Sequence, residues 1–456
     1  MAARKARGKP KSVTLRSYDV GFGDCFLLSF QYADFARHVL IDFGSTRLPE
    51  KAVEGDYMAY VARRIAQDCG GKLHAVVATH RHKDHISGFA VKDGDSSGAI
   101  IRALKPDVVL QPWTEDPRAR RNAKRPTKEI TGRNLPSAAR RALHVNALRD
   151  MNTYADFVVT ASARLTSPGL KAVREQLEFL GDDNGLANRS AITNLMDMGA
   201  APARYLYFGA KSGLETLLPG VTTYVLGPPT LDQTDTITKQ RSTDKDQFWL
   251  ARADFWSKRA AVARQPEVAF APLFPNQEEH RIPLDARWYR RRAQKEQAES
   301  MLSIVRSLDA QMNNTSLILL FEVGGKLLLF PGDAQYENWM YALGQKDVAD
   351  KLRKVDLYKV GHHGSRNATP KLLWEGFDKR AHAGVSEGDV GDGEHAHDGE
   401  FITLLSTKDD VHGRKEADTE VPRRTLMDAL EQQSRLLDTR SLHKDEIGQC
   451  CTLDLT

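Results

Sequence analysis

The 456-residue chain is poor in cysteine: only Cys25, Cys69, Cys450 and Cys451 occur, the last two adjacent and none in a C-x-x-C pair. That spacing supplies neither a disulfide framework nor a cysteine zinc site. No apolar run approaches the roughly 18–20 residues needed to span a bilayer. The basic start, Met1 to Lys11, has no apolar segment behind it. It reads as a disordered leader over 1–11 and not as a secretory signal, so a cytoplasmic location is expected. Three catalytic signatures are also missing: there is no P-loop, no dinucleotide-binding glycine fingerprint and no G-x-S-x-G elbow.

What remains is an ordinary globular composition, 41% hydrophobic and 27% charged. The length allows two or three average domains, or one α/β core carrying insertions. A net charge of +5 is mild, but it is unevenly spread. Arg118 to Arg141 holds nine basic residues and few acids, and Arg287 to Lys295 forms a second cluster. Such patches can neutralise phosphates, although a charge cluster alone is more often a solvated face.

Alternation and β-branched runs place strands at 12–20, 25–30, 38–44, 74–78, 108–110, 205–208 and 221–226. Residues 317–323 and 326–330 flank Gly324-Gly325 and predict a hairpin. Further strands are expected at 355–360, 401–406 and 451–455, and amphipathic helices at 52–69 and 425–437. The spans of about 113–200 and 230–302 read as mostly helical insertions, and no internal repeat is visible.

The densest chemistry is Thr79-His80-Arg81-His82-Lys83-Asp84-His85, directly behind a short apolar strand. A strand end followed by a tight turn can aim several imidazoles and a carboxylate at one point, whereas a helix would scatter this spacing around its circumference. Neutral imidazole nitrogens and carboxylate oxygens are the donors that a borderline cation such as Zn²⁺ takes. Two more strand ends carry the same ligand class. Pro331-Gly332-Asp333 closes the hairpin, and Gly361-His362-His363-Gly364-Ser365 follows the strand at 355–360. One Asp or one His pair is unremarkable alone; three such clusters argue together for a metal centre.

In this order, Asp19 to Asp24, Leu40 to Gly44, His80 to His85, Gly332-Asp333 and His362 to Ser365 resemble the metallo-β-lactamase fold. Within that superfamily the likeness is to the branch typified by the hydrolase domain of the competence protein ComEC, and it covers residues 12–112 and 200–440. It implies an α/β protein, a four-layer αββα sandwich over 12–456 with helical insertions, its metal site at one edge between two sheets.

Carried onto this chain, the resemblance gives His80 and His82 to the first of two divalent metals, and Asp84 and His85 to the second. Asp333 would bridge them and His363 would complete the second site. His362 would stand beside substrate as hydrogen-bond donor or acid, with the opposite assignment of the pair left open. Asp42 and Asp24 would orient ligand histidines from behind. Many members place one further histidine before the bridging aspartate; here Met312-Asn313-Asn314-Thr315-Ser316 occupies that stretch. Asn313, Asn314 and Ser316 are therefore candidates to support the first metal, with zinc expected and manganese suiting an oxygen-richer site.

The chemistry implied is hydrolysis by a metal-bridging hydroxide, with Asp84, Asp333 and His362 in the catalytic roles. A phosphodiester in nucleic acid is the expected substrate, contacted by Lys83, Arg366, Arg120, Arg121 and Arg125, with Lys359 beside the motif. A hydrolase of a small ester, lactone or amide is the alternative, and a non-catalytic metal-binding scaffold a further one. No membrane partner is expected.

Overall fold

The structure, a computed structural model, describes residues 8–52, 56–92, 94–117, 187–234, 292, 312–365, 367–380, 400–411, 420–443 and 446–455. The chain divides into two compact units, one of Met1–Thr131, Ala187–Thr238 and Met312–Thr456, the other of Gly132–Leu186 and Lys239–Gln311. The second lies outside the described residues apart from Arg292, as does most of both expected insertions. Every described strand belongs to the first unit.

Strands β1 (Ser12–Tyr18), β2 (Cys25–Gln31) and β3 (Ala36–Phe43) form an antiparallel meander. Helix α1 (Tyr57–Asp68) then carries the chain back, its first turn held by the Asp56 carboxylate accepting from the Ala59 amide. It buries Val61, Ala62 and Ile65, the spacing of one helix face. Strand β4 (Ala75–Val77) consequently pairs parallel to β3. Helices α2 (Lys83–Ile86) and α3 (Ser97–Ala103) precede β5 (Val108–Pro112), and α4 (Ala187–Asp197) precedes β6 (Arg204–Leu206), both added in parallel.

A second sheet repeats this plan. Strands β7 (Val221–Gly227), β8 (Ile318–Val323) and β9 (Lys326–Phe330) are antiparallel. The β8–β9 turn is Gly324-Gly325, both at positive φ, as a two-residue hairpin turn requires. Helices α5 (Tyr336–Leu343) and α6 (Lys346–Leu352) lead to β10 (Leu357–Lys359), and α7 (Lys371–Gly376) precedes β11 (Ile402–Leu405). Helix α8 (Arg424–Gln433) connects to β12 (Arg435–Asp438), and β9 through β12 run parallel. Strand β13 (Gly448–Asp454) returns to the edge of the first sheet, antiparallel to β1.

The inner faces of the two sheets share one core. Leu15, Phe26, Leu28, Ile41 and Val77 pack with Leu319, Phe321, Phe330 and Leu404. Their sequence neighbours Leu320, Leu329 and Tyr358 face the other way, into a second core under Trp339, Leu352, Trp374 and Leu430 of α5 to α8. This is the period-2 alternation of strands buried on both faces. The protein is thus a mixed α/β fold with two mixed sheets. No described helix is long and apolar enough to cross a membrane.

One expected element is corrected. The amphipathic pattern at 425–437 predicts a single helix, but α8 stops at Gln433, Ser434 is extended, and Arg435–Asp438 is a strand. Leu436 joins the helix-side core and Leu437 the inter-sheet core, which adjacent residues can do only in a strand. Helices α5, α6 and α7 were not expected from the sequence.

Candidate metal centre

The carboxyl ends of the parallel strands carry the chemistry, the usual place for a site in such sheets. Asp42 lies at the end of β3, His80 to His85 follow β4, and Asp333 follows β9. His362 and His363 follow β10, and Ser406 follows β11. After β4 the chain bends at His80, is extended again at His82, then turns once as α2. That change lets His80, His82, Asp84 and His85 converge, which neither a strand nor a helix alone would do. Glycines allow α2 to be clamped from behind: a Cβ on Gly44 would stand 2.5 Å from the Asp84 carbonyl carbon, and the Asp24 amide donates to the Asp84 carbonyl at 2.9 Å.

Asp42, held at φ +53°, is the post behind His85. One of its oxygens accepts from the Thr79 amide at 2.7 Å. The other accepts from Thr79 Oγ1 at 2.7 Å and lies 2.8 Å from His85 Nδ1. His363 is anchored in the same manner, its Nδ1 lying 2.8 Å from the Ser406 carbonyl oxygen. A carbonyl only accepts, so Nδ1 carries the proton and Nε2 faces the centre, 2.8 Å from Asp84 Oδ2. Asp333 Oδ2 lies among imidazoles: 3.1 Å from His85 Nε2, 3.8 Å from His362 Nε2 and 4.0 Å from His80 Nε2. His80 Nε2 is 3.0 Å from His82 Nδ1.

Donor atoms of Asp84, His85, Asp333 and His363 all lie within 4.8 Å of one another, and so do those of His80, His82 and Asp84. Two ligands held at the usual zinc distances in a tetrahedral shell are about 3.3 Å apart, so donors gathered this closely could converge on one cation. Asp84 Oδ1 is buried and lacks a hydrogen bond among the described residues, and the buried His85 Nε2 and Asp333 Oδ2 have only their 3.1 Å approach to each other. Buried polar atoms in native proteins are otherwise satisfied, and a cation would satisfy all three. The donor set fits a divalent metal. Asp84 belongs to both groups, so the division of ligands implied by the resemblance is less sharp in the geometry.

Burial pulls His80 well below the ordinary histidine range, reinforced by the neighbouring His85 and His82; it pulls His82 down to about 4. Both are neutral at pH 7, the form that binds metal. Burial alone would raise the carboxyls of Asp84 and Asp333, but His85 and its neighbours hold both below the usual range. His85 and His363 move up despite burial, because carboxylates surround them.

Asp24 does not hydrogen-bond a ligand histidine. It is fully buried, ion-paired with Lys359, and 3.6 Å from the Nδ1 atoms of both His85 and His363. Lys359 is correspondingly no substrate contact: it is buried under the centre, 3.7 Å from Asp333 Oδ1. His362 is partly exposed at the rim, its amide donating to Asp333 Oδ1 at 3.1 Å and its Nδ1 3.0 Å from Ser365 Oγ. Ser316 Oγ accepts from the Asp333 amide at 3.3 Å. Asn314 Nδ2 donates to Glu337 at 2.9 Å, and Asn313 is wholly buried. Lys83, half-buried, opens α2 beside the ligands. Arg366, Arg120, Arg121 and Arg125 lie outside the described residues.

The sequence pattern contains Thr79 and Ser365 but assigns them no role, gives none to Ser406, and places Lys359 only beside the motif. Thr79 adjoins the motif and was open to notice. Ser406 acts through its backbone carbonyl, so no side-chain signal marks it. No protein-family model matches the chain, and no curated protein matches it.

Proposed function

We propose that this chain is a metal-dependent hydrolase with a four-layer metallo-β-lactamase-like core, acting on phosphodiesters. The convergence of Asp84, His85, Asp333 and His363 on one buried point carries the reading. When bound there, two divalent cations supply an activated water and positive charge for the entering and leaving oxygens of an in-line displacement.

The chain's own residues have distinct parts. His80 and His82 with Asp84 would hold one cation, and Asp84, His85 and His363 would hold the other; Asp333 Oδ2 lies 3.1 Å from His85 Nε2 and 4.0 Å from His80 Nε2. Asp42 and the Ser406 carbonyl fix the ring orientations of His85 and His363. His362, at the rim with Ser365 beside its Nδ1, is placed to offer an Nε2 proton to a substrate oxygen. The basic run Arg118 to Arg141, including Arg120, Arg121 and Arg125, favours a polyanionic substrate over a neutral ester.

Full-length protein loaded with Zn²⁺ or Mn²⁺ should cleave bis-p-nitrophenyl phosphate and labelled DNA or RNA. Asp84→Asn or His363→Ala should lower kcat/KM by more than the roughly 10–100-fold typical of losing a residue that only supports a ligand. Turnover of neutral esters with none of phosphodiesters would overturn the substrate assignment.

A further inference from the structure

Lys359 is 1% exposed and sits where the inter-sheet core would take an apolar side chain. In β10, Leu357 joins the inter-sheet core and Tyr358 the helix-side core, so strand alternation puts Lys359 on the face of Leu357. Its ammonium lies 5.8 Å from the centre of the Phe26 ring. A buried ion pair is often no more stabilising than packed apolar residues of similar volume, so packing alone does not account for a lysine here.

What the lysine touches is specific. Its Nζ is ion-paired with Asp24, lies 3.7 Å from Asp333 Oδ1 and donates to the Gly332 carbonyl at 3.4 Å. It therefore grips the turn that presents Asp333 at two points. The His362 amide donates to the same Oδ1 at 3.1 Å. The two oxygens of Asp333 are thereby distinguished. Oδ1 faces an ammonium and an amide, while Oδ2 faces the Nε2 atoms of His85, His362 and His80. Asp24 extends the contact to the other three donors of the group of four. Its carboxylate lies 3.6 Å from Nδ1 of both His85 and His363, and its amide donates to the Asp84 carbonyl at 2.9 Å.

A carboxylate binds a cation through one oxygen or through both. A cation drawing on Oδ1 would have to approach the ammonium in a dry site, where repulsion between like charges is poorly screened. We propose that Lys359 is a positioning residue that makes Asp333 a one-oxygen donor through Oδ2 and so biases the centre toward zinc. The proposal rests on the two-metal reading. Zn²⁺ takes four donors and accepts imidazoles among them, whereas Mn²⁺ favours six, mostly oxygens, and gains from a second carboxylate oxygen. Lys359 withholds that oxygen.

The test is the Lys359→Met/Asp24→Asn double variant of the chelator-stripped full-length protein. It removes one charge of each sign, so a changed metal preference cannot come from the net charge of the centre. Zn²⁺ and Mn²⁺ affinities are measured by competition with a chromophoric chelator, and the visible absorption of the Co²⁺-loaded protein reports coordination number. The double variant should lower the ratio of Zn²⁺ to Mn²⁺ affinity by roughly tenfold or more. Its Co²⁺ d–d bands should weaken as a second oxygen of Asp333 enters the shell. Asp24→Asn alone leaves the ammonium beside Asp333 and should keep the wild-type ratio and bands, which also serves if the double variant does not fold. A folded double variant with the wild-type ratio and bands makes Lys359 merely structural and overturns the proposal. A shift in Asp24→Asn as large as that of the double variant overturns it too. A wild type that takes up neither metal removes the two-metal reading itself, so the two failures are distinct.

Discussion

Four carboxylates, Asp24, Asp42, Asp84 and Asp333, are buried around one point, and Lys359 is the lysine buried with them. Removing water from so many charges is tolerable only because each has a partner of opposite sign or a hydrogen-bond donor. Lys359 lies between Asp24 and Asp333 and is pushed further up by both, although its burial acts the other way. Taking away one member strands the other in a dry environment. Lys359→Met should therefore lower stability by about 3–5 kcal/mol, and the Lys359→Met/Asp24→Asn double variant should recover a large part of that loss. Urea unfolding of the two variants measures it; additive losses would mean that the pair is not coupled. At this scale the sequence was informative about residue type and poor about orientation. His80, His82, Asp84 and His85 announce themselves by spacing. The roles of Lys359 and Asp24 depend on which way a strand residue faces across two sheets distant in sequence.

Short elements, not long ones, set the geometry of the centre. The β9 end turns through Gly332 at φ +56°, and a Cβ there would lie 2.7 Å from Thr79 Cβ, the residue that pins Asp42. The β8–β9 turn contains Gly325 at φ +81° with open space around it. Two glycines of one hairpin thus answer differently to substitution. Gly332→Ala should cost about 2 kcal/mol or more, combining left-handed strain with a clash that moves Asp333. Gly325→Asn should cost under about 1 kcal/mol, since asparagine tolerates that conformation. Chemical denaturation of both variants decides it, and equal losses would refute the distinction. The hairpin was legible in the sequence because a glycine pair separates two apolar runs. Strand β12 was not: Leu436 and Leu437 continue a helical pattern locally, and only the availability of β11 beside them turns the segment into a strand.

In the molecule as a whole, the described histidines other than the exposed His443 divide by strand end. Those at the carboxyl ends gather at the centre; His38 near the start of β3 and His74 just before β4 sit together at the opposite end. There the His38 amide donates to His74 Nδ1 at 3.1 Å, and burial, aided by Arg37 and other nearby cations, pulls both histidines to about 4. Their folded pKa lies below the unfolded value of about 6.5, so the stabilisation is present above pH 6.5 and is lost as pH falls toward 4. His74→Gln keeps an acceptor for the amide and removes the titration. It should flatten the acid loss between pH 6.5 and 4 by up to about 1.4 kcal/mol per pH unit. Unfolding free energies of the metal-free protein at pH 7, 5.5 and 4.5 test this; an unchanged slope would exclude His74 as a titrating contributor.

The sequence by itself determined that strand ends carry three histidine- and aspartate-rich clusters and where most core strands run. Those features are local: they follow from alternation, glycine turns and ligand spacing within a few residues. Only the tertiary structure decided that both sheets repeat one antiparallel-then-parallel plan, a repeat with no trace in the sequence. It alone placed Asp84 between two donor groups, set Lys359 beneath the centre, and left the Asn313 amide buried without a hydrogen bond. The reason is physical. Each of those facts depends on atoms from segments hundreds of residues apart meeting within about 4 Å, and burial, not spacing along the chain, then fixes which charges and amides must find a partner.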